Sequence, residues 1–111
     1  MAKLPKDEVP RGALRVLLLT LLREGPMHGY RLARLLEERS EGAFRLREGS
    51  LYPALHELEL EGWIEATWAK GDGRKRRVYH LTRRGRREAT GSRERWLEIA
   101  ATLTRLLEPA T

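Results

Sequence analysis

Cysteine is absent from the 111 residues, which excludes a disulfide scaffold or a thiolate metal site and gives no sign of an oxidising compartment. Long apolar runs are absent too. The longest, Val16 to Leu19, falls far short of a membrane span or a signal-peptide core. A cytoplasmic, water-soluble protein is therefore expected. Histidine is sparse: His28, His56 and His80 are scattered along the chain. His56-Glu57 is followed by Leu60 where a zinc-protease helix would need its second histidine. No serine, histidine and acid arrangement is readable, and no glycine loop has phosphate-cradling spacing. The sequence thus predicts no metal, no cofactor and no enzyme activity.

Acidic residues are missing from one stretch in particular. Between Lys70 and Arg87 nine cations face Asp72 alone, whereas the rest of the chain carries 13 basic and 15 acidic residues. One basic block on a near-neutral body is the footprint of a polyanion contact, most often nucleic acid. Lys70, Arg74, Lys75, Arg76 and Arg77 lie closest to the centre of this block.

Periodicity predicts mostly helix with one small β-hairpin. Residues 1–10 are polar, carry two prolines, and read as an arm. Arg11 to Glu24 is a helix whose Leu14, Leu17, Leu18 and Leu21 form one stripe, with Val16, Leu19 and Leu22 adding apolar surface around most of its circumference. Such a helix is expected to touch both its own domain and a partner. Gly25-Pro26 ends it. His28 to Arg39 is a second helix with Leu32, Ala33 and Leu36 inward. Phe44 and Leu46 either alternate as a very short strand or cap the core. A third helix runs from about Ser50, a candidate N-cap, to Gly62, with Leu51, Leu55 and Leu58 on one face and Tyr52, His56 and Glu59 on another. This start puts Pro53 in the first turn, where its missing N–H costs nothing.

Ile64 to Ala69 and Arg76 to Leu81 are extended, and flank Gly71-Asp72-Gly73, a tight-turn signal. Trp63 and Trp68 are expected to pack where the strands meet helix 3. Thr82 caps a last helix, Arg83 to about Leu107. Its Trp96, Ala100, Leu103 and Leu107, with Ile99 and Leu106 beside them, make a coiled-coil-like seam. Nothing earlier in the chain remains to cover it, so pairing with helix 1 and with the same helix of a second copy is expected.

Three motifs in this order resemble the PadR-like family of bacterial transcriptional regulators. They are Gly49-Ser50-Leu51-Tyr52-Pro53-Ala54-Leu55 leading to Leu58-Glu59-Leu60-Glu61-Gly62, the upstream Met27-His28-Gly29-Tyr30, and Tyr79-x-Leu81-Thr82-x-x-Gly85. The resemblance covers most of the chain and is to the short-tailed branch, with a single C-terminal helix. It implies a winged helix-turn-helix DNA-binding domain over residues 1–82, a dimerisation helix over 83–111, and a dimeric regulator, most often a repressor, on double-stranded operator DNA. The third helix would enter the major groove while the wing lies over the adjacent backbone or minor groove.

The expected DNA contacts are Arg47, Ser50, Tyr52 and His56 from helix 3 with Lys70, Arg74, Lys75, Arg76 and Arg77 from the wing, although Tyr52 could equally be a core aromatic. The expected dimer face is Leu14, Leu18, Trp96, Ile99, Ala100, Leu103 and Leu107. Short-tailed members can bind flat aromatic compounds at such an interface, which makes Trp96 a candidate effector site if it does not simply fill the dimer core. A basic RNA-binding protein would use the same charge, but this hairpin offers few stacking aromatics. A winged helix serving only as a protein adaptor would not need the cations at its wing.

Overall fold

The computed structural model describes residues 9–71 and 73–108. The expected arm up to residue 8, Asp72, and the side chain of Arg74 lie outside that description. The elements run α1 (Arg11–Leu22), β1 (Met27–His28), α2 (Gly29–Arg39), α3 (Glu48–Leu60), β2 (Ile64–Gly71), β3 (Arg74–Leu81) and α4 (Arg83–Leu107). Helix, helix, helix, hairpin is the winged-helix order, and α4 follows it as one uninterrupted helix of 25 residues. Gly91 neither breaks nor ends it.

The core is built almost wholly of leucine. Leu18 and Leu19 of α1, Leu32 of α2, Leu55 and Leu58 of α3, and Ile64 of β2 are fully buried, each contributing about 1.5–3 kcal/mol of transfer free energy. Helix α1 is the central element, packing against α2, α3, β3 and α4. This corrects one expectation. Most of the apolar surface of α1 is covered within the protomer, where α4 packs along it beside α2 and α3, while Val16 and Leu17 stay half-exposed. Leu14 and Leu18, expected on a dimer face, are 7% and 0% exposed and belong to the protomer's own core.

The third strand differs from expectation as well. Phe44 and Leu46 form no strand and instead pack, half-buried, against the core. The short strand is β1, which pairs with β3 through Met27 opposite Tyr79 and His28 opposite Val78, giving the sheet order β1-β3-β2. Along the hairpin, pairs run from Ile64 opposite Leu81 to Gly71 opposite Arg74, and Gly73 adopts φ +76°.

Helix α3 starts at Glu48, three residues earlier than an N-cap at Ser50 implies. Arg47 is its N-cap, and its carbonyl accepts from the Leu51 N–H at 2.9 Å. Pro53 therefore sits inside the helix, and the Gly49 carbonyl has no donor four residues on. The helix continues because Gly49 is exposed, so water can take that bond. At the other end Gly62, with φ +76°, lets the Trp63 N–H return to the Leu58 carbonyl at 3.1 Å.

Candidate nucleic-acid interface

One junction aims both reading elements. Thr82 caps α4 by accepting from the Gly85 N–H at 3.0 Å, and the same hydroxyl donates to the Gly62 carbonyl at 2.7 Å. Its backbone N–H donates to the Trp63 carbonyl at 3.0 Å. The end of α3, the root of the wing and the start of α4 are thereby fastened at one point. Arg15 of α1 adds to it, lying 5.3 Å from the Trp63 ring centroid and pairing with Glu61.

The wing's two faces follow from register. Directly opposed residues share a face, so Ile64/Leu81, Ala66/Tyr79, Trp68/Arg77 and Lys70/Lys75 lie on one side. That side grades from core to solvent outward along the ribbon: Ile64 and Tyr79 are buried, and Trp68 is 68% exposed. Trp68 is thus not the packing residue expected. Alternation continues, but beyond Ala66 the ribbon has left the apolar core, and Trp68 faces the Arg77 guanidinium across the hairpin instead. Trp63 is half-buried against the core as expected.

Strand β3 of the wing, the start of α2 and Tyr52 of α3 border a cleft of about 560 Å³ lined by His28, Gly29, Tyr30, Tyr52 and Tyr79 and by Lys75, Arg76 and Arg77, with no carboxylate in its wall. The sequence leaves Tyr52 between core and surface, and the structure makes it 43% exposed. It leans on α2, where a Cβ on Gly29 would come within 2.9 Å of its hydroxyl. On its far side lies a second hollow, of about 520 Å³, between Tyr30 and Arg34 of α2 and Arg47, Glu48 and Leu51 of α3. Tyr52 is therefore the ridge between two clefts. His56, Ser50 and Arg47 are exposed along the same helix.

Two residues of this surface escape a reading of the sequence. His28 caps α2, its Nδ1 accepting from the Arg31 N–H at 3.1 Å. In the neutral ring this puts the proton on Nε2, leaving a donor on the other edge. Tyr30, 63% exposed, lies 6.3 Å from the His28 ring, and its hydroxyl accepts from Arg34 at 3.4 Å. That bond, with the pairing to Glu38, holds the Arg34 guanidinium above its ordinary pKa. The one signal for them is the Met27-His28-Gly29-Tyr30 motif, which reads as a helix start until the fold brings it beside Tyr52. Burial pushes the Tyr79 phenol above its usual pKa against the opposing influence of Arg77, so it stays a neutral donor at the cleft floor.

The basic block divides. Lys70 to Arg77 lie on the wing, whereas Arg83, Arg84, Arg86 and Arg87 lie on the first turns of α4, with Val78 to Thr82 between them. The four exposed α4 arginines are set apart from the cleft.

The sequence profile of the transcriptional regulator PadR-like family matches residues 18–91, from the middle of α1 into α4. The chain belongs to the PadR-like family of transcriptional regulators. This PadR-like chain is 38% identical over 93 residues to Transcriptional regulator Rv3488 of Mycobacterium tuberculosis, a match covering 84% of each protein. A PadR family transcriptional regulator from Eggerthella lenta superposes with a TM-score of 0.76 at 30% identity, covering 90% of this chain and 86% of that one. A transcriptional regulator from Clostridium thermocellum shares the fold at a TM-score of 0.81 and 23% identity, covering 88% of this chain and 96% of the other. The PadR-like chain is thus a DNA-binding transcriptional regulator with the winged-helix architecture. Among the described residues, no helix is long and apolar enough to cross a membrane and no group of histidines and carboxylates could hold a metal ion.

Proposed function

We propose that this regulator works as a homodimeric repressor. Each protomer places α3 in a major groove and its wing on the adjacent backbone, and a planar aromatic or hydrophobic compound releases it. The observation that carries the DNA geometry is the acid-free cleft in which Tyr52 of α3 and Lys75, Arg76 and Arg77 of the wing meet. In this reading Arg47, Ser50, Tyr52 and His56 reach base edges or phosphates from α3. Lys70, Arg74, Lys75 and Arg76 supply sequence-independent phosphate contacts.

Dimerisation is supported by the outer half of α4. Ile99, Leu103, Leu106 and Leu107 are between 44% and 79% exposed and share one face of the helix, an apolar stripe that a second copy of the same helix would cover. Ala100 is exposed beside them. The effector reading is supported by a hollow of about 380 Å³ among Arg95, Glu98, Ile99, Thr102 and Leu103, on the stretch of α4 that carries Trp96 although Trp96 does not line it. Trp96 itself is half-buried against α1, where a Cβ on Gly12 would come within 3.0 Å of its ring. Pairing two copies would enclose that hollow, whose Ile99 and Leu103 offer apolar contact and whose Arg95, Glu98 and Thr102 form a polar rim, a setting in which a flat ligand gains contact on both faces.

The test is a gel shift on the protein's own promoter region over a range of salt, with a random duplex of equal length as reference. Tight, salt-sensitive binding that prefers the promoter supports the reading. Equal affinity for both duplexes, or tighter binding to structured RNA, overturns it.

A further inference from the structure

Arg77 differs from its neighbours on the wing. Strand β1 pairs only with Val78 and Tyr79 of β3, so from Arg77 outward the wing is a bare two-stranded ribbon, and such ribbons are marginally ordered by themselves. At this point the Arg77 guanidinium donates to the carboxylate of Glu59 on α3 at 2.9 Å. The same group lies 5.9 Å from the ring centroid of Trp68 and 5.6 Å from that of Tyr79. Glu59 lies on the face of α3 that presents Tyr52 and His56, seven and three residues before it. An acid there opposes a polyanion, so its placement calls for a role other than touching DNA.

We infer that Arg77, joined to Glu59 and held between Trp68 and Tyr79, is a positioning residue that sets the angle between the wing and the recognition helix, and is not a phosphate contact. This rests on the proposed DNA geometry, in which helix and wing must engage together. A pre-set angle lowers the ordering cost of binding. It acts most where both elements must be in register, on the cognate site. On random DNA either element can hold the duplex alone. Arg77 is therefore also a determinant of specificity.

The experiment compares the full-length parent with Glu59→Ala, Arg77→Met, the double variant and Lys75→Met/Arg76→Met. Each is measured for binding to the promoter fragment and to a random duplex across salt, and for hydrogen exchange of the wing amides without DNA. Removing the Glu59 charge should strengthen DNA binding if electrostatics alone operate. The strut predicts the opposite, a loss on the promoter of about threefold to fivefold, the scale of an exposed ion pair. Arg77→Met should lose a similar factor with an unchanged salt slope, the double variant should be no worse than Arg77→Met, and the ratio of promoter to random affinity should fall in all three. Wing amides should exchange faster in the Glu59 and Arg77 variants, but not in the Lys75/Arg76 variant.

Tighter binding by Glu59→Ala, or a salt slope flattened by about 0.9 in Arg77→Met, overturns the inference and returns Arg77 to the phosphate contacts. Unchanged wing exchange overturns it too. If the parent binds no duplex, the DNA reading fails, and the exchange measurement alone then decides whether the strut exists.

Discussion

Gly85 of α4 lies so close to Trp63 that a Cβ there would stand 1.8 Å from the Trp63 carbonyl oxygen and 2.7 Å from its carbonyl carbon. No rotamer change relieves a contact with backbone, so any side chain at 85 must move α4 away from the junction that fastens α3 to the wing. Gly91, two turns on, meets only the end of the Arg95 side chain at 3.3 Å, which can swing aside.

Two glycines of one helix should therefore respond oppositely to alanine. Gly85→Ala should destabilise the fold by about 3 kcal/mol, the upper part of the overpacking range. Gly91→Ala should stabilise it by about 0.5–1 kcal/mol through helix propensity. Urea unfolding monitored by circular dichroism gives both values from the midpoints. Equal effects would mean that the α4 junction is not close-packed.

The exposed wing cations and the α3 face should separate in DNA binding. Replacing Lys75 and Arg76 with alanine should weaken all sequences alike and lower the slope of log K against log salt by about 0.9 for each phosphate that is no longer neutralised. Tyr52→Ala or His56→Ala should cost about 1–3 kcal/mol on the cognate site and much less on random DNA. Filter-binding titrations over a range of salt check both. A His56 effect that is the same on both duplexes would reduce that residue to a positioning role.

Acid should open the clasp between α1 and α2. The Arg39 guanidinium donates to both carboxylate oxygens of Glu24 and holds that carboxyl below its usual pKa. A depressed folded pKa means that the unfolded chain binds the proton more readily. The contribution is therefore complete above the ordinary carboxylate range and is lost as pH falls through the folded value. Thermal melts of the parent and Glu24→Gln should differ at neutral pH and converge in acid. A gap that persists at the lowest pH would assign the effect to packing.

Trp96 separates the effector reading from plain packing. Planar aromatic dyes should quench tryptophan fluorescence in the parent and lower its promoter affinity, while a Trp96→Ala variant shown to dimerise by sedimentation responds in neither way. Identical quenching in both proteins would trace the signal to Trp63 or Trp68 and remove Trp96 as an effector site. A Leu103→Glu variant, altered only at an exposed position of α4, should sediment as a monomer if that stripe is the dimer face.

Local chemistry by itself determined the order of elements. Apolar spacing made helices of α1 to α4, Gly25 and Gly62 ended two of them, and Thr82 capped the last, because periodicity, glycine conformations and capping act within a few residues of chain. The basic block and three motifs carried the family. What the leucines pack against was decided only by tertiary structure. The same stripe of α1 reads as a dimer face or a core face, and the fold settled it by burying Leu14 and Leu18 within the protomer, where α1 packs on α2, α3, β3 and α4. Met27 and His28 became a strand because β3 lay beside them. Pro53 lies inside a helix where Gly49, the residue that loses its donor, is exposed to solvent. Trp68 alternates like a packing residue but lies past the edge of the body, and Gly29 is small because Tyr52 crosses it. Arg77 was indistinguishable from its basic neighbours until the fold set Glu59 within 2.9 Å of it. Spacing along a chain reports which face a residue occupies, and only long-range packing reports what that face meets.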